Sequence, residues 1–477
     1  MLPLGVLTGC RTYDASALSP LAPLRPTLAG VYALRTRDLP ALLSKAVGTE
    51  KYARPQPADV CAWHAGLRGV TAVCLSADQA VLAAVQGGEG RVSFFPLAAM
   101  TGPGSGAHWS LELGSVQSFA WSKSGALPQA FLAVTADRAL VLGRYGDASA
   151  AVVVAPSGVY AADWCPSDAP VFGYSTGRRL ALVSVAADLS VCEVAGLPLE
   201  HPGEAGAVFE SVSWVLPDAL VLGATPVEEG GDAEGTDELC CLLQLQGWSA
   251  GSGVAPSGAE LLTAPPGFVE DGCTPCLSGP YLHAVCLPSW GAIVRAHRKA
   301  SDDHVQLLRV REGVFGSGGA AQAVAITEDK LGIRLPNGRD GDNNYVLGLA
   351  LDTTVPLDPI PNPLNAEKPP LTPPPVLLVA TSDGVLRVYG FGHEELSSPV
   401  RPGPDSVVPL PAAPPAWATA AASPAGFMPS GSAPDMTDTA ARAALPDDDD
   451  VSAGQCLWWM ISIFIWHVHL VYGLRNT

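Results

Sequence analysis

"PPPVLLVATSDGVLRVYGF", residues 373–391, reads as two short strands about a tight turn. Val376, Leu377, Leu378 and Val379 form an apolar run, and Thr381-Ser382-Asp383-Gly384 supplies turn chemistry, with Gly384 free to take positive φ. Val385, Leu386, Val388 and Tyr389 then resume an extended pattern of β-branched and aromatic residues. An isolated hairpin is barely stable in water, so this one requires a larger sheet.

That sheet has relatives along the chain. Six heptapeptides stack on one another: VTAVCLS from Val70, VQSFAWS from Val116, VYAADWC from Val159, FESVSWV from Phe209, YLHAVCL from Tyr281 and YVLGLAL from Tyr345. Each reads as a strand, and most are followed by a second strand, a turn and a third, as in AFLAVTADRALVLGRY (130–145) and PVFGYSTGRRLALVSV (170–185). Their starts lie 46, 43, 50, 72 and 64 residues apart. Periods of roughly 40 to 50 residues with four strands each mark propeller blades. The long intervals hold insertions: EEGGDAEGTDE (228–238) with the Gly/Ser/Pro stretch to Gly267, and LDPIPNPLNAEKPPLTPPP (357–375). The second is a stiff, extended loop within the last blade, which accounts for the prolines before Val376.

With a degenerate unit in residues 1 to 60, the expected fold class is all-β: a seven-bladed β-propeller over 1–393. A disordered Pro/Ala-rich linker (394–455) and a hydrophobic segment (456–474) follow it. The competing fold is a β-sandwich, single or double. No unit is framed by a GH and a WD dipeptide, so a propeller here is at most WD40-like.

Composition agrees with many short strands. Hydrophobic residues reach 48% and charged residues only 15%, while Gly (50) and Pro (44) are abundant. A net charge of −19 argues against direct nucleic-acid binding, whose affinity comes mainly from Lys and Arg on phosphate, and suits a basic protein partner. The first residues, MLPLGVLTGCRTYD, lack the charged and apolar regions of a signal peptide, and the cysteines read as reduced, mostly buried thiols.

In these units the chain resembles the N-terminal β-propeller of the large FG nucleoporin on the cytoplasmic face of the nuclear pore. The resemblance runs from about Leu28 to Tyr389, through GVYALRTRDLPALL (30–43), VYAADWCPSDAPVFGYSTGRRLALV (159–183), the CTPC segment (273–276), EDKLGIRLPNGRDGDNNYVLGLALD (328–352) and the opening hairpin. It implies a non-enzymatic platform without cofactors that docks a DEAD-box RNA helicase in mRNA export, beside other nucleoporins. It also implies a partner site over Glu328, Asp329, Leu335, Pro336, Asp340, Asp342 and Asn343. Carboxylates there would compete with RNA phosphate for the helicase's basic groups, and Leu335 and Pro336 would give the desolvated contact. Asp342-Asn343 stands where the family has an acidic pair. The family's coiled coils and Phe-Gly tracts have no counterpart: Phe172-Gly173, Phe315-Gly316 and Phe391-Gly392 are isolated. The first blade is short by about a strand.

Other motifs read more plainly. Gly247-Trp248-Ser249-Ala250-Gly251 matches a nucleophile elbow, but GSGVAPSGAE after it cannot start the required helix, so a glycine-rich loop is expected. Cys273, Cys276, His283 and Cys286 are four soft groups, yet residues three apart on a strand face oppositely, so no metal site is expected. CLWWMISIFIWHVHLVYGL (456–474) is long enough to cross a bilayer, with His467 and His469 near its middle. Membrane contact is expected only if this segment is genuine; its abrupt change of composition is better explained by an intron read-through. In either case the propeller is expected to fold without it.

Overall fold

The structure, a computed structural model, describes residues 4–7, 31–35, 63–67, 69–100, 107–202, 206–226, 239–264, 282–298, 300, 304–310, 321–324, 333, 335, 337, 343–353, 367, 370, 375–382, 386–391 and 466–471. Its strands form seven sheets. The first has three strands: β1 (Leu4–Leu7), β2 (Val31–Arg35) and β3 (Trp63–Ala65). The second holds β4 (Val70–Leu75), β5 (Val81–Gln86), β6 (Arg91–Pro96) and β7 (Trp109–Glu112). The third holds β8 (Val116–Trp121), β9 (Ala130–Thr135), β10 (Leu140–Arg144) and β11 (Asp147–Ala155). Next come β12 (Ala161–Trp164), β13 (Val171–Ser175), β14 (Arg179–Val185) and β15 (Val191–Pro198). The fifth is β16 (Val208–Leu216), β17 (Ala219–Thr225), β18 (Leu239–Gln246) and β19 (Gly258–Thr263). The sixth is β20 (Leu282–Leu287), β21 (Ala292–His297), β22 (Val305–Val310) and β23 (Ala321–Val324). The last is β24 (Val346–Asp352), β25 (Val376–Thr381), β26 (Leu386–Phe391) and β27 (Trp466–Val471).

Strands in each sheet follow chain order, and the first strand of each lies beside the first strand of the next. All six heptapeptides overlap these first strands. The protein is an all-β propeller. It has six four-stranded blades rather than the expected seven; the N-terminal unit is a three-stranded sheet, with β1 beside both β4 and β24. Its strands are separated by long stretches of chain, which is why residues 1 to 60 show no clear repeat.

Burial follows from this stacking. The second strands β5 and β9 are buried at every residue, and so is β21 in the sixth sheet. Both faces of such a strand are covered by neighbouring sheets, so it reads as a continuous apolar run. The outermost strands β7, β15 and β19 are largely exposed. Six apolar clusters fill successive junctions between sheets. In one, Phe94 packs on Trp109 (centroids 4.6 Å apart), Trp121 (5.6 Å) and Phe131 (5.8 Å), geometries in which aromatic pairs attract.

Polar ties cross the same junctions. Trp121 Nε1 donates to the Cys74 carbonyl (3.1 Å) and Trp164 Nε1 to that of Ala120 (3.3 Å), each reaching back one blade. Ser175 Oγ donates to the Phe209 carbonyl (2.7 Å), reaching forward. These bonds satisfy polar groups that stacking would otherwise strand.

The turn that opened the sequence has counterparts. Ser76-Ala77-Asp78-Gln79, Thr135-Ala136-Asp137-Arg138 and Ala186-Ala187-Asp188-Leu189 each place their last residue at positive φ (54°, 62° and 66°). Local side chains cap these turns: Asp78 Oδ1 accepts from Ala80 N–H (3.0 Å), Thr135 Oγ1 from Ala139 N–H (3.1 Å), and Asp188 Oδ1 from Ser190 N–H (3.0 Å). The Thr381-to-Gly384 turn of the sequence runs beyond the described residues after Ser382.

Trp466–Val471 lies parallel to β26, whereas the other strand pairs among the described residues are antiparallel. No helix among the described residues is long and apolar enough to cross a membrane. The linker 394–455 lies outside the described residues.

Gly143 on β10 shows how closely the sheets fill. A Cβ there would run into the Phe131 ring. Gly143→Ala is expected to lower unfolding free energy by about 1–3 kcal/mol. Phe131→Leu in the same chain should make the glycine substitution less costly, measured as non-additivity in denaturant unfolding.

Candidate functional site

The segment expected to meet a partner, 328–343, connects β23 to β24 and so joins two blades. Ile333 bridges to Val305 on β22, and both Ile333 and Leu335 are buried with Trp290, Val294, Leu307 and Val346. Leu335 N–H donates to His304 Nδ1 (3.3 Å), so that nitrogen carries no proton. Leu335 is thus packed into the core together with Ile333. Asn343 is half-buried. Beside it, Asn344 Oδ1 accepts from Ser382 Oγ, and that hydroxyl accepts from Tyr345 N–H, both at 2.8 Å. The segment is thus fastened at 333–335 and again at 344–345. Glu328, Asp329, Pro336, Asp340 and Asp342 lie outside the described residues; the last three fall between these anchors in sequence.

A second feature lies where the first strands end. A cavity of about 750 Å³ is lined by Lys123, Pro166, Trp214, Val285, Leu287 and Leu351, contributed by five consecutive blades. Its charged member is committed. Lys123 Nζ donates to Asp163 Oδ2 (2.6 Å) and to the Trp214 carbonyl (2.8 Å). Asp163 Oδ2 also accepts from Trp214 N–H (2.7 Å), and Oδ1 from Trp164 N–H (2.8 Å). One carboxylate thereby ties three blades. Sequence reading passed over it, although the signal was present: Asp163 occupies the place of Ala120 and Ser213 in neighbouring heptapeptides.

The remaining motifs fall into structural roles. Gly247–Gly251 lies between β18 and β19, with strands on both sides and no helix, and Trp248 packs near Trp214 (6.4 Å between centroids). Cys273 and Cys276 lie outside the described residues; no group of metal-binding side chains occurs among those described. Burial pushes the Cys286 thiol up to about 12, so it stays protonated and a poor nucleophile. Cys165, Cys240 and Cys241 are buried too, whereas Cys192 is exposed.

His283 is half-buried, but its Nε2 is sealed from water without a partner. Burial, with Arg298 and His297 nearby, holds its pKa down at about 3.

No protein-family model and no curated protein matches the chain. Among solved structures it is similar to the β-propeller domain of Cps50 (Swd1) from Myceliophteria thermophila, at 14% identity and a TM-score of 0.41, over 68% of this chain and 83% of that one. It is also similar to the WD40 domain of coronin from Toxoplasma gondii, at 12% identity and a TM-score of 0.42, over 74% and 73%. At such scores the propeller rests on its own sheets.

Two outcomes follow. Asp163→Ala strands two backbone N–H groups and is expected to cost about 2 kcal/mol in denaturant unfolding. Unfolded His283 takes a proton near pH 6.5 and folded His283 does not until about 3, so its contribution to stability is complete above 6.5 and falls as pH drops towards 3. A thermal-melting series should show a shallower acid-side decline for His283→Gln.

Proposed function

We propose that this propeller is a non-enzymatic docking platform at the cytoplasmic face of the nuclear pore complex, binding a DEAD-box RNA helicase in mRNA export. The observation that carries this reading is the inter-blade segment 328–343. Its sequence has the family's residue types and spacing, and its core anchors bracket Asp340 and Asp342 in sequence. Anchoring at both ends lowers the ordering cost of binding. Carboxylates on such a segment would occupy Arg and Lys groups that otherwise hold RNA phosphate. Leu335 contributes by fixing the segment from within, and the apolar contact falls to Pro336. The alternative is a WD40-like scaffold in another complex; the cavity of about 750 Å³ at the ends of the first strands favours it, because its size suits a ligand unrelated to the acidic segment.

The test is binding of the purified protein to the ATPase domains of the export helicase. Asp340→Lys with Asp342→Lys is expected to weaken binding at least roughly tenfold, since close interfacial charge pairs couple by more than about 1.5 kcal/mol. The change should also flatten the salt dependence. Reversing Glu228, Glu229, Asp232, Glu234, Asp237 and Glu238 should do far less. Equal binding by wild type and the 340/342 variant would move the site elsewhere, and no binding by wild type would favour the scaffold reading.

A further inference from the structure

Exposed outer strands are where a propeller can pair with another chain, and most of those here are guarded. β7 is short and ends in Glu112, which pairs with Arg91 (3.1 Å). β15 carries Glu193, paired with Arg179, and ends in Pro198. β19 carries Glu260, and β23 has only four residues. Charges, proline and short length are the usual protections of a sheet edge.

β11 lacks them. It is nine residues long and, among the described residues, pairs only with β10, so that no described strand covers its other edge. Its one charge, Asp147, stands at its start and turns back onto Ser149, accepting from Ser149 N–H (3.0 Å) and Oγ (2.6 Å). From Ala148 to Ala155 there is neither charge nor proline. Val152 and Val153 are 41% and 58% exposed, half of the exposed large hydrophobic residues described. Val191 (39%) opens the outer strand of the adjacent blade, to which Arg144 is tied through the Ala187 carbonyl. Register shifts occur towards both ends of the β10–β11 pairing, but Val152 and Val153 pair regularly with Leu142 and Val141.

We propose that β11 is a self-association edge on which a second copy of this chain pairs β11 antiparallel about a twofold axis. Charge favours this occupant. In antiparallel register about Ala151, Asp147 opposes Ala155, so the two Asp147 side chains stand at opposite ends of the ladder, about 27 Å apart at ~3.4 Å per residue, beyond a Debye length in physiological salt. Every residue between them is uncharged, so the stretch is complementary to itself. Isologous closure also consumes both open edges, which limits assembly to a pair. The net charge of −19 on each copy opposes approach, so added salt strengthens the pairing, the reverse of its effect on a contact between opposite charges. The inference is independent of the helicase reading.

The test is sedimentation equilibrium of the full chain at roughly 50 μM, well above a micromolar Kd. The expected result is a salt-strengthened monomer–dimer equilibrium. Val153→Lys should weaken it at least tenfold while thermal melting stays native. Val254→Lys, at a loop valine that is 63% exposed, should leave it unchanged. A wild-type monomer at that concentration would overturn the proposal. So would open-ended assembly, or a dimer indifferent to Val153→Lys.

Discussion

Every blade here has two apolar faces, and neither can meet water. That constraint governs the rest of the molecule. A half-buried sheet would alternate polar and apolar residues, whereas β5, β9 and β21 are buried without interruption. Such sheets reach a stable state only when each is packed between two others. The junction clusters, the aromatic group around Phe94, and the tryptophans reaching back to the preceding blade are forms of one solution. Lys123 and Asp163 extend it to the ends of the first strands, where a buried-side carboxylate holds Trp214 in the next blade.

Much of this was legible in the residues. The first strands share a spacing and a residue pattern because all occupy equivalent places, and all six heptapeptides overlap them. The repeated turns were legible only in part: Gln79, Arg138 and Leu189 take positive φ in turns held by side-chain caps, which a search for glycine misses. The N-terminal sheet was illegible as strands because its pieces lie far apart in sequence. Residues 466–471, remote in sequence, lie parallel to β26.

The candidate site was legible as composition and not as orientation. Acidic residues beside Leu335 and Pro336 suggested a contact with an apolar centre, yet whether a side chain in extended chain points in or out depends on register alone. Ile333 and Leu335 are both buried. Asp163 was missed for the opposite reason. A single carboxylate in an apolar strand looks incidental until the backbone donors of two blades converge on it.

Amide hydrogen exchange, resolved by strand, tests the stacked-blade account most directly. If each blade depends on both neighbours, β5, β9, β13, β17 and β21 open together with global unfolding, while the outer β7, β15 and β19 exchange faster. Two groups of strands with separate protection, β4 to β11 in one and β12 to β23 in the other, would show two independent cores and contradict the propeller.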